Sequence, residues 1–113
     1  MILRTTFDGL ILKNPLMPAS GPLVGDTEKM TFLIHEGVGA MVTKTIYSKD
    51  PKIPSPCIYV YNNYVMNSEL WSEHAYNIWV HEFLPEMSKN KSIPLIISVG
   101  YTAADMELLV PLL

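Results

Sequence analysis

The sequence predicts an α/β fold, a parallel sheet with helices packed on it. Three observations carry this. Short apolar runs recur at residues 16–20 (LMPAS), 39–45 (GAMVTKT) and 94–99 (PLIISV). Each ends in small or polar residues, and glycine closes the first and the third. The segments between them hold apolar residues at helical spacing. Apolar strands separated by helices mark a sheet whose two faces are covered.

The elements follow in chain order. Residues 2–12 read as two short strands around Asp8-Gly9, because glycine takes positive φ in a tight turn without steric cost. Asn14-Pro15 punctuates the chain before the apolar run at 16–20, a buried strand. Asp26 caps a helix that carries Glu28 in its first turn, where the helix dipole favours a negative charge. Met30, Leu33 and Ile34 share one face of it, and Gly37 ends it as a C′ glycine. Residues 39–45 form the second buried strand. Pro51, Pro54 and Pro56 then exclude a helix or a central strand.

Residues 57–65 (CIYVYNNYV) have strand composition with Asn62-Asn63 in the middle, which fits a small hairpin or an extended loop. Residues 74–84 read as a helix with Ser72 as its cap, Glu73 in its first turn and Pro85 kinking or ending it. Residues 94–99 form the third buried strand. A last helix starts at residue 102 or 103 and runs to the end, with Met106, Leu109 and Val110 on one side.

Composition bounds the function. The chain has 113 residues, room for one domain over 1–113. Hydrophobic residues at 49% and charged residues at 17% exclude a disordered chain. Eight Lys and Arg against 11 Asp and Glu give a net charge of −3, which offers no attraction to nucleic acid or an anionic membrane. The single cysteine excludes an internal disulfide framework, and no zinc-ligand spacing occurs. No apolar run nears a membrane span, and residues 1–6 (MILRTT) lack a signal-peptide layout, so a cytoplasmic protein is expected. The apolar end VPLL and two open sheet edges point to the beginning of a larger, truncated α/β fold rather than a small complete domain.

In α/β folds reactive groups gather at the C-terminal ends of strands. Here those ends are Ala19-Ser20-Gly21, Thr43-Lys44-Thr45 and Ser98-Val99-Gly100. Small residues let a flat ligand approach the backbone. Lys44 is a cation at the mouth of a buried strand, able to meet an anionic substrate or a reduced cofactor, or to snorkel to solvent.

Together these segments resemble the dihydroorotate dehydrogenase family of FMN-dependent (β/α)₈ barrel oxidoreductases. KNPLMPASG at 13–21 is similar to the family's first barrel strand, and GVGAMVTKT at 37–45 to its second. The proline-rich residues 51–56 stand where the family has a "GNPpPR" loop, and PLIISVG at 94–100 resembles the third strand. The resemblance implies the N-terminal portion of a TIM barrel preceded by a short β-hairpin. It implies FMN along the backbone of Ala19, Ser20 and Gly21, with Lys44 beside both flavin and substrate and Thr45 next to the cofactor. It implies Asn67 as the asparagine that binds the substrate's pyrimidine ring. The implied reaction is oxidation of dihydroorotate or a related dihydropyrimidine in pyrimidine biosynthesis, with a homodimer mate or an electron-transfer subunit as partner. The catalytic base, a Cys or Ser, is expected beyond residue 113, so these 113 residues alone are expected to be inactive.

The family's substrate loop reads Asn-x-x-Gly-Leu-x-Asn, whereas residues 67–73 read NSELWSE. Leu70 fills a glycine position and Glu73 an asparagine position, and added acids repel an anionic substrate. Cys57 stands where the loop has arginine, and a lone cysteine without a neighbouring histidine reads as a small hydrophobe. An FMN oxidoreductase with another substrate, or a non-catalytic half-barrel acting as an interaction module, are the alternatives. His35, His74 and His81 read as surface or helix-end residues, not metal ligands. Trp71, Tyr76, Trp79 and Phe83 read as packing against the sheet.

Overall fold

The computed structural model describes residues 3–113. Met1 and Ile2 lie outside the described residues, and with them the first position of the expected N-terminal strand pair. Strands β1 (Thr5–Phe7) and β2 (Leu10–Leu12) form an antiparallel hairpin. Asp8 (φ 46°) and Gly9 (φ 79°) both take positive φ at its turn, as the Asp-Gly pair predicts.

Residues 16–20 do not form the expected buried strand. They carry no strand ladder, and Leu16 is 64% exposed. Pro15 and Pro18 remove two N–H donors from the segment. Two long-range bonds hold it: Gly39 N–H donates to the Leu16 carbonyl (2.8 Å), and Asn14 Nδ2 donates to the Gly37 carbonyl (2.8 Å). Gly39 permits this approach, since a Cβ there would collide with the Asn14 carbonyl.

A single 3₁₀ turn (Pro22–Val24) leads into α1 (Thr27–His35), whose N-cap Asp26 accepts from Lys29 N–H. The helix ends as expected at Gly37 (φ 92°). Gly37 N–H bonds the Ile34 carbonyl and Val38 N–H the Leu33 carbonyl, a Schellman closure. Met30 is buried, and Leu33 and Ile34 pack against the same core.

Strands β3 (Met41–Val42) and β6 (Leu95–Ile96) pair in parallel. The pairing continues past both as a bridge between Ile46 and Val99. N–H groups of Met41, Thr43 and Ile46 donate to the carbonyls of Pro94, Ile96 and Ser98. The crossover between them begins with hairpin β4 (Ile58–Tyr61) and β5 (Tyr64–Asn67), turning at Asn62-Asn63. Of the two readings of that segment the hairpin holds. Both of its strands are exposed throughout.

The crossover then becomes helical from Tyr76, two residues later than expected. A short α-helix α2 (Tyr76–Ile78) opens into a π-helical segment (Trp79–Phe83) and closes as α3 (Leu84–Met87). Ser72 does not cap it: its hydroxyl bonds the His74 carbonyl, and Glu73 lies ahead of the first turn. Pro85 neither ends nor sharply breaks the run. The wider π turn, with Leu84 N–H on the Trp79 carbonyl, accommodates a residue that lacks an N–H and crowds the preceding turn.

Thr102 and Asp105 form a capping box at the start of α4 (Ala103–Leu109), and a 3₁₀ turn (Val110–Leu112) follows. Only Leu109 of the expected apolar side is buried; Met106 and Val110 are exposed. The core gathers Val24, Met30, Met41, Ile46, Trp79 and Leu109 around the parallel pair. The architecture is thus a mixture of helices and three two-stranded sheets, with no closed barrel among the described residues. No helix among them is long and apolar enough to cross a membrane.

Two outcomes follow. Gly39→Ala must push residues 14–16 away from the parallel pair and destabilise the fold by about 1–3 kcal/mol, read by urea denaturation. Asp105 accepts from Ser48, Thr102 and the Tyr101 N–H, and these bonds hold its carboxyl well below the usual range despite burial. A depressed carboxylate stabilises the fold above its unfolded pKa, and that stability is lost as pH falls through the folded value. Asp105→Asn therefore lowers the melting temperature by several degrees at pH 7, and the gap to the parent narrows steadily below about pH 4.

Candidate functional site

The C-terminal ends of the apolar segments meet on one side of the molecule. Ser20 Oγ lies 3.2 Å from Thr45 Oγ1, which lies 3.0 Å from Ser98 Oγ. Ser98 N–H donates to the buried Thr43 hydroxyl (3.0 Å), fixing the two parallel strands in register. This chain of hydroxyls borders an open cleft of about 390 Å³ lined by Ser20, Gly21, Lys44, Thr45, Asn67 and Trp71, among others. Of the residues expected at a cofactor, Ser20, Gly21, Lys44 and Thr45 line it; Ala19 is exposed and does not. Asn67, expected at the substrate, lines it too.

Lys44 sits where the strand leaves its ladder, and its N–H donates to the Val24 carbonyl (3.1 Å). Its side chain does not snorkel to solvent: it is 3% exposed. Its Nζ lies 3.2 Å from Glu69 Oε1 and 3.1 Å from Glu73 Oε1. A buried ammonium needs such partners, since burial without them is strongly unfavourable. Hydrogen bonding with Glu73, and then with Lys44, holds the Glu69 carboxyl below its usual range. The loop is shaped for this. Asn67 Oδ1 accepts from Glu69 N–H (2.8 Å), and Ser68 ties back to the Cys57 carbonyl (3.1 Å).

Trp71 departs from its expected role. It is 65% exposed, lines the cleft, and lies 4.8 Å from the Tyr101 ring, which lies 4.3 Å from Tyr47. Trp79 is the tryptophan that packs, 1% exposed and edge-on to Phe83. Tyr76 and Phe83 pack against the core as expected. His35 and His81 are exposed, and His74 is half-buried against Phe83. Among the described residues no three His, Cys, Asp or Glu side chains are grouped to hold a metal. Sequence reading missed the ion pairing of Lys44 with Glu69 and Glu73. The signal available was two acids four residues apart in a loop already set opposite Lys44.

Comparison with known proteins agrees with the resemblance read from the motifs. The chain is 27% identical over 111 residues to the dihydroorotate dehydrogenase B (NAD(+)) catalytic subunit of Carboxydothermus hydrogenoformans, covering 96% of this chain and 36% of that protein. It is 31% identical over 99 residues to the protein of the same description from Desulforudis audaxviator, covering 86% of this chain and 32% of that protein. The chain therefore spans about a third of the length of the curated relatives it matches. Both relatives are dehydrogenases, so the chain is related to oxidoreductases. No protein-family model matches it.

Removing the cation exposes the balance of the site. Lys44→Met leaves Glu69 and Glu73 facing each other without a counter-charge. Its melting temperature falls below the parent's at pH 7, and the gap narrows at acidic pH, where protonation of Glu69 relieves the unpaired charge and the parent loses its own ion pair. Thermal scans across that range read it.

Proposed function

We propose that residues 1–113 are the N-terminal part of one FMN-binding (β/α)₈ barrel domain, in a flavoprotein that oxidises a dihydroorotate-like cyclic substrate. The cleft carries this reading. It gathers Ser20, Gly21, Lys44 and Thr45 at the C-terminal ends of the apolar segments, where α/β enzymes hold their ligands, and adds Asn67 from the end of β5. The similarity to two dehydrogenase catalytic subunits supports it independently.

The residues present fit a flat, polar-edged cofactor. A Cβ at Gly21 would meet nothing nearer than the Ala19 carbonyl at 3.9 Å, so the backbone there is open to a ring face. The hydroxyls of Ser20 and Thr45 can bond the polar edge of a ring, with Ser98 orienting Thr45. When bound, FMN supplies a two-electron acceptor for a hydride from a ring carbon of the substrate. Asn67 offers an amide to the substrate's ring, and Lys44 fixes the charge at the back of the cleft. Leu70 and Trp71 supply apolar surface on one side of the cleft. The base that takes the substrate's proton is assigned to no residue of 1–113. The electrons pass to an acceptor or an electron-transfer subunit, and the working site is cytoplasmic.

A second reading has one observation in its favour. Ile58, Val60, Tyr61, Tyr64, Val65 and Met66 of the β4–β5 hairpin are all exposed. A non-catalytic interaction module would use such a face. Absorbance of the purified protein after desalting separates the two. Flavin bands that survive, and bleach when dihydroorotate or a related dihydropyrimidine is added without oxygen, carry the flavoprotein reading. A colourless protein that self-associates with rising concentration carries the module. Under the first reading Thr45→Val removes one hydroxyl from the cofactor edge and weakens FMN binding about 5–10-fold, measured by flavin fluorescence.

A further inference from the structure

Resting on the flavin-cleft reading above, we infer that Glu69 and Glu73 set the specificity of this cleft, selecting an uncharged ring with N–H donors over a carboxylate anion. Lys44 is the one cation among the residues that line the cleft, and it is already committed. Its Nζ lies 3.2 Å from Glu69 and 3.1 Å from Glu73. With a side chain only 3% exposed, it presents no free positive charge to the opening. Glu69 lines the cleft beside Lys44, Glu73 pairs with Lys44 without lining it, and the remaining lining residues, among them Ser20, Thr45, Asn67 and Trp71, are uncharged. An entering carboxylate would have to displace one of the two acids from Lys44 and leave it unpaired in a partly buried place.

The clamp is built into the backbone. Gly25 is buried under Glu73, and a Cβ there would meet the Glu73 Oε2 position at 2.6 Å, so the missing side chain leaves room for the carboxylate. Asn67 Oδ1 holds the Glu69 N–H at 2.8 Å and shapes the loop between the two acids and the hairpin. The chemistry left for a ligand is specific. The Glu69 carboxylate accepts hydrogen bonds at the cleft while Glu73 holds Lys44 from the Gly25 side, Asn67 can donate and accept, and the exposed Trp71 ring offers a stacking face. A neutral lactam or imide ring satisfies all three. A carboxylate added to that ring brings no donor for Glu69 and meets its like charge.

Calorimetric titration with two probes of the same shape tests this: orotate, and the neutral 6-carboxamide of uracil. The protein is incubated with FMN, and its flavin absorbance is recorded on the same sample. The amide is expected to bind at least about tenfold tighter than orotate. Glu69→Gln with Glu73→Gln frees the Lys44 charge and moves that ratio at least about tenfold toward orotate, while Glu28→Gln with Glu86→Gln leaves it unchanged. Equal or tighter binding of orotate by the parent protein, binding of neither probe, or a ratio unmoved in the double variant overturns the inference. Should the double variant not fold, the parent ratio and Glu73→Gln alone decide. Retained flavin with orotate preferred sinks the specificity and spares the cofactor; lost flavin with the amide preferred does the reverse.

Discussion

The parallel pairing of residues 41–46 with 94–100 is the constraint from which the rest of the structure follows. Met41, Thr43 and Ile46 donate to carbonyls of the later segment, and Gly100 N–H returns to the Ile46 carbonyl (3.2 Å). Parallel strands cannot be joined by a tight turn, so a long crossover must leave one end and return at the other. That crossover carries the hairpin, the loop with both acids and the π-containing helix. It therefore brings Glu69 and Glu73 back over the end of the strand that bears Lys44.

Burial of Lys44 is the electrostatic counterpart of that geometry. A lysine ammonium taken out of water is tolerated only with close acceptors, and the crossover delivers two. Under the specificity proposed above, the same arrangement would decide what the cleft recognises: a free lysine at a strand mouth draws anions, whereas one paired with two acids leaves the polarity of the opening to its partners. The hydroxyl chain from Ser20 through Thr45 to Ser98 complements it by tying the end of the apolar segment 16–20 to the parallel pair.

Local chemistry was readable wherever a side chain acts on its own neighbours. Asp26 as a cap, Gly37 as a C′ residue and Asp8-Gly9 as a turn all depend on contacts within four residues. The strand-end residues around the cleft were readable because α/β geometry sends C-terminal strand ends to one side. The reading failed where distant pieces decide. Residues 16–20 look like a buried strand by composition, yet no neighbour donates a ladder to them. Trp71 and Trp79 look alike in sequence, but only Trp79 faces the core. Glu73 looks like part of a helix start, yet it turns to Lys44.

The sequence by itself determined the alternation of apolar and helical segments, the cap at Asp26, the C′ glycine at 37, the turn at Asp8-Gly9, and the identity of the residues at the strand ends. These follow from backbone preferences and from spacing, which act over a few residues at a time. Only the tertiary structure decided that Lys44 is buried and paired, that Glu73 sits over Gly25, and that Trp71 lines the cleft while Trp79 fills the core. Each of these depends on which segments meet across 25 or more residues of chain, as Lys44 and Glu69 do. Such meetings are set by the cost of burying an unpaired charge and by the space left between packed elements.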